Sequence, residues 1–235
     1  MNLTLSSFIA VVVSSVFLLT GCIPPSQTNL NKTTSSPETA SGYVIDPSDF
    51  LSTPQLLEGA QTGEVSDKVV EGMLRMREEE KLARDVYTTL GNQWNLNIFT
   101  NIASSEQTHM DAMEGLLKLF SIEDPVHNTD TGAFTSPEMR ELYQTLTTKG
   151  STSVLDALMV GATIEDLDLY DLNGLMLLTT NPDILRVYQN LAKGSRNHLR
   201  AFQRQIMQQG GSYTPQYISK EDFEQILQSA QERGR

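Results

Sequence analysis

Ser105-Glu106-Gln107-Thr108-His109-Met110 lies in the middle of a segment whose large apolar residues recur at helical spacing. Phe99, Ile102, Glu106, His109, Met113, Leu116 and Phe120 fall on one face of a helix over 96–120. Glu106 and His109, three residues apart, therefore stand one turn apart on the apolar side. A charged group buried alone costs several kcal/mol or changes protonation until it is neutral, so this pair needs partners. Three other segments supply them. The stripe over 67–92 is Val69, Met73, Met76, Glu80, Ala83, Tyr87 and Leu90. Over 152–179 it is Leu155, Leu158, Ala162, Glu165, Leu169, Leu172 and Met176. A fourth helix begins at Asn181-Pro182, ends near Gly210-Gly211 and carries Ile184, Tyr188, Leu191, Ser195, His198, Phe202 and Ile206. Each stripe is apolar except near its middle.

The connections decide how the four helices are arranged. Helices one and two are joined by a few residues, as are three and four, which makes each pair antiparallel neighbours. A longer stretch, 121–150, separates the pairs and holds a short helix begun by Thr135-Ser136-Pro137-Glu138. A minor C-terminal helix follows Ser219 after the extended 213–217. The pattern predicts an all-α chain: a ferritin-like antiparallel four-helix bundle with one long crossover between helices two and three. In such a bundle the midpoints come to one level, so the interrupting polar groups converge.

A cation held among them would cancel the buried negative charge. Of only three histidines, His109 and His198 lie on inward stripes, and His127 reads as a loop residue of the crossover. The single cysteine, Cys22, leaves any metal to nitrogen and oxygen donors. The candidate ligands are Glu80, Glu106, His109, Glu165 and His198. A symmetric di-metal site would carry a second Glu-x-x-His, but Ser195 stands where its glutamate belongs. Asp168, one turn beyond Glu165, is the candidate sixth ligand; its plainer reading, like that of Asp171, is a surface acid. Tyr87, Tyr188 and Ser195 face the same interior and are expected beside the ligands, the tyrosines with hydrogen-bonded hydroxyls. Glu78 and Glu79 are expected in solvent, and the plain alternative for Glu80 is a surface ion pair with Arg84. Imidazole with carboxylate suits iron, manganese or zinc.

Glu106-Gln107-Thr108-His109 resembles the Glu-x-x-His motif of ferritin-like carboxylate proteins, and Glu80-Lys81-Leu82-Ala83-Arg84 resembles the first-helix glutamate region of rubrerythrin-type proteins. More closely, residues 65–217 resemble the DUF2202 proteins, a bacterial and archaeal family of unknown function with a ferritin-like fold. The strings that carry this are Glu78–Tyr87, Ser105–Met110, Val160–Glu165 and Gly194–Phe202. The resemblance implies one or two metal ions, iron first, with Glu106 bridging, His109 and His198 as terminal nitrogens, and Glu80 and Glu165 as terminal carboxylates. It also implies oxidation of ferrous iron or reduction of oxygen or peroxide. A metal-binding module without turnover is one alternative. Another is a metal-free helical interaction lipoprotein whose polar layer fixes helix register.

The N-terminus reads as an address. Phe8–Leu19 is an apolar run too short to span a bilayer, and it leads into Leu19-Thr20-Gly21-Cys22, which resembles a bacterial lipobox. Residues 1–22 are thus expected to be a lipoprotein signal peptide, 23–48 a polar linker and 49–235 the helical domain. A lipid anchor on Cys22 would place the domain outside the cytoplasm, at the outer membrane or cell surface. The net charge of −12, from 29 acidic and 17 basic residues, excludes the basic footprint that nucleic-acid binding needs. Assembly into a homo-oligomer stays open.

Overall fold

The computed structural model describes residues 51–233. The expected signal peptide, Cys22 and the whole linker lie outside them. The described residues form seven helices and no strand. They are α1 (Thr53–Leu56), α2 (Asp67–Trp94), α3 (Asn97–Leu119), α4 (Pro137–Gly150), α5 (Val154–Met176), α6 (Pro182–Gln208) and α7 (Lys220–Gln228). No helix among them is long and apolar enough to cross a membrane.

Local chemistry sets the boundaries. The Ser136, Ser153 and Ser219 hydroxyls and the Asn181 carbonyl accept from backbone N–H groups of the first turns of α4, α5, α7 and α6. Pro137 and Pro182 sit where a missing N–H costs nothing. Asn95 ends α2 in the left-handed region at φ 52°. Two expectations shift: α5 stops at Met176 rather than reaching residue 179, and the single turn α1 has no counterpart in the apolar pattern.

The four long helices pack as the pairs α2/α3 and α5/α6, with α2 also against α5 and α3 against α6. Residue pairs fix their directions. Arg77 donates to the Met110 carbonyl, Arg84 to Gln107, and Gly91 abuts Phe99, so α2 and α3 run oppositely. Tyr87 meets Glu165 and Arg75 meets Asp171, so α2 and α5 also run oppositely. It follows that α3 and α5 are parallel, and the crossover between them must travel the length of the bundle. Along it, α4 packs on α2 and α5.

Buried ion pairs on α2 tie the crossover down. Arg77 binds Asp124, and Lys81 donates to Asp85 at 2.5 Å and to the Asp130 carbonyl. Asp85 also accepts from Arg84 and from the Gly132 N–H. The C-terminal segment is tied by Asp166, whose carboxylate accepts from the Tyr213 hydroxyl and the N–H groups of Gln216, Tyr217 and Ile218. Gly161 of α5 lets the Phe202 ring come in flat: a Cβ there would lie 2.4 Å from two ring carbons.

Candidate metal centre

Each stripe delivers its polar residue to one level. Glu80, Glu106, His109, Glu165 and His198 are all buried. Ligand atoms of Glu80, Glu106 and His109 lie within 4.8 Å of one another, as do those of Glu106, Glu165 and His198. Glu106 belongs to both groups. Its Oε2 is 2.7 Å from His109 Nδ1 and its Oε1 is 2.8 Å from His198 Nδ1. Glu80 stands 3.2 Å from the first imidazole and Glu165 3.3 Å from the second. The centre is therefore two Glu–His halves from α2/α3 and α5/α6, joined by one carboxylate, and the two imidazole rings stack at 5.7 Å.

Electrostatics follow from that crowding. Burial pushes Glu80 and Glu165 up to about 7, against the pull of His109 and His198. Glu106 goes the other way: the two imidazoles it touches overcome burial and hold it well below the usual carboxylate range. Burial would lower both histidines, but their carboxylate neighbours win, raising His198 to about 9 and His109 well above its ordinary value.

The surrounding residues fall into two groups. Tyr87 donates to Glu165 Oε1 at 2.6 Å, so it stands beside the ligands as expected. Ser105 was not singled out by sequence reasoning, yet its hydroxyl lies 3.0 Å from His198 Nε2. The signal was faint, a small hydroxyl one residue before Glu106 that turns toward α6. With Nε2 bonded outward, His198 keeps Nδ1 toward the carboxylates. Ser195 is buried, but its hydroxyl bonds the Leu191 carbonyl of its own helix. The Tyr188 hydroxyl is buried without the expected hydrogen bond, and its charged neighbour is Glu79.

Two acids depart from the simple expectation. Asp168 is buried rather than a surface acid; it lies outside both groups but faces Glu80, Glu165, Glu106 and Glu79. Glu79 is buried too, bonded to Arg75 at 2.7 Å, because α5 covers the side of α2 where it projects. Arg84 pairs with Asp85 and Gln107, leaving Glu80 to the interior.

The family model for an uncharacterized protein domain, DUF2202, matches residues 69–230. This chain belongs to the DUF2202 family. It is similar to an uncharacterized protein, MJ0754, of Methanocaldococcus jannaschii, at 58% identity over 170 residues, covering 72% of this chain and 92% of that protein. The crystal structure of the hypothetical protein MJ0754 from Methanococcus jannaschii DSM 2661 is similar with a TM-score of 0.72 at 56% identity, over 73% of this chain and 98% of that one. The DUF2202 match spans all five converging residues, from Glu80 to His198.

Proposed function

We propose that this DUF2202 chain is a ferritin-like metal protein that holds one or two iron ions, or manganese or zinc in their place, between α2/α3 and α5/α6. The single observation that carries this is Glu106, a buried carboxylate with one oxygen at each of two imidazole Nδ1 atoms. The ferritin-like reading of the bundle is supported by the parallel course of α3 and α5, which demands an end-to-end crossover.

The donor set fits such an ion. Burying three carboxylates and two imidazoles together is costly unless cations or protons compensate. Hard oxygen with borderline nitrogen donors suits first-row divalent metals. Glu106 would bridge, with Glu80 and His109 on one side and Glu165 and His198 on the other. Asp168 is the sixth donor in this reading, since Ser195 is turned to its own helix. Tyr87 holds Glu165 in place and Ser105 fixes the orientation of His198. Iron so held would supply redox chemistry in which ferrous ion is oxidised as oxygen or peroxide is reduced. In this reading the apolar run Phe8–Leu19 and Cys22 form an export signal with a lipid anchor, so the work is done outside the cytoplasm.

Full enclosure of the centre favours one second reading, a module that binds metal without turnover. Elemental analysis of protein loaded separately with iron, manganese and zinc tests the proposal, alongside a Glu106→Ala/His109→Ala variant. One or two equivalents, lost in the variant, are expected. No metal above background in folded protein would overturn both readings. Peroxidase and ferroxidase assays on the loaded protein separate them.

A further inference from the structure

The metal centre is sealed, so any ion must pass side chains to reach it. A line of acids leads outward from it along α5. Glu165, Asp168 and Asp171 stand one turn apart, about 4.5 Å of axial rise per step. Facing them from α2 are Glu80, Glu79 and Arg75. Exposure rises along the line: Glu80 is 0% exposed, Asp168 3%, Glu79 4%, Asp171 18% and Arg75 30%.

Two features say that this line is more than a solvated face. Asp168 Oδ2 is buried and accepts no hydrogen bond, although Glu79, Glu80, Glu106 and Glu165 all act on its charge. The buried Tyr188 hydroxyl beside Glu79 is equally without a partner. A buried carboxylate oxygen with no donor, set among other acids, is a place where a cation can be held. At the outer end, a side chain supplies the cation. The Arg75 guanidinium lies 2.7 Å from Glu79 Oε1 and 3.5 Å from Asp171 Oδ2, occupying the place a metal ion would take between them. Arginine is long and partly in water here, so it can swing out without unpacking the core.

We infer that Asp171, Glu79 and Asp168 form the path by which divalent cations reach the buried centre, and that Arg75 is its gate. An incoming ion displaces Arg75 from the two outer carboxylates and passes to Asp168, the outermost donor of the centre, then to Glu80. The inference rests on the metal reading of the centre, and it adds the route to it.

Cobalt(II) uptake, followed by stopped-flow visible absorbance on the metal-stripped full chain, tests it. Four proteins are compared: wild type, Asp171→Asn, Arg75→Gln, and Glu224→Gln, which removes an equal charge from exposed α7. Asp171→Asn should fill about tenfold more slowly and Arg75→Gln faster, both to the wild-type stoichiometry, with Glu224→Gln unchanged. Equal rates in all four would overturn the path while leaving the centre intact. A lower final stoichiometry in Asp171→Asn would also overturn it, by making Asp171 a ligand. No uptake by the wild type would overturn the metal reading itself, and the path with it.

Discussion

Raising the pH of metal-free protein should destabilise it, and the size of the loss follows from the centre. Burial lifts Glu80 and Glu165 from an ordinary 4.5 to about 7, and Glu79 to about 8. A carboxyl that holds its proton more tightly when folded contributes stability below its unfolded value and loses it as pH climbs to the folded one. His198, raised from 6.5 to about 9, behaves alike: its contribution is complete below 6.5 and gone above about 9. Glu106 is depressed, so its contribution is already in place above 4.5 and is lost only in acid. Between pH 5 and 8, then, every raised group pulls the same way. One carboxyl carried from 4.5 to about 7 loses about 3 kcal/mol at about 1.4 kcal/mol per pH unit. Glu80 and Glu165 both face Glu106, so their losses do not add, and the loss is on the order of 3 kcal/mol. For a domain of this size that lowers the melting temperature by roughly 6–12 °C. Calorimetry of chelator-treated protein across that range is the assay. Added manganese or zinc should raise the melting temperature more at pH 8 than at pH 5, because the ion takes the place of protons. A melting temperature that is flat or rises from pH 5 to 8 in stripped protein would refute the reasoning.

Three further outcomes follow. Tyr87→Phe removes the 2.6 Å bond to Glu165 and should weaken metal affinity about tenfold while the protein stays folded, as read by competition with a chelator of known affinity. Asp166→Ala strands the Tyr213 hydroxyl and three backbone N–H groups; it should cost about 3 kcal/mol or more in urea unfolding and open 213–218 to protease, with metal content unchanged. Gly161→Ala drives a Cβ to 2.4 Å from the Phe202 ring, which is wedged between Tyr87 and Phe99 at centroid distances of 5.4 and 5.6 Å. A loss of about 1–3 kcal/mol in the urea midpoint is expected, and an unchanged midpoint would show that the ring can shift freely.

Helical periodicity made the long elements legible, because four stripes of apolar residues keep one phase over six or seven turns. The same phase exposed Glu80, Glu106, His109, Glu165 and His198, whose polarity interrupts it, and the structure brings these five together. Periodicity failed where a second helix covers a flank. Glu79 is about 100° around the helix from Glu80, which is solvent on an isolated helix but faces α5 here. Asp166 likewise reads as one acid in a run, since its partners come from a segment 47 to 52 residues away. Tyr188 faces inward as its stripe predicts, yet no periodicity reveals that its hydroxyl finds no partner. The four-residue α1 is too short to show a period at all.

The most direct test of the central claim is anomalous scattering from crystals of the full chain soaked in iron or manganese. The account predicts one or two peaks within about 2.0–2.3 Å of Glu106 oxygens and of Nδ1 of His109 or His198. Peaks only at surface acids, with Glu106 still in direct contact with both imidazoles, would contradict it.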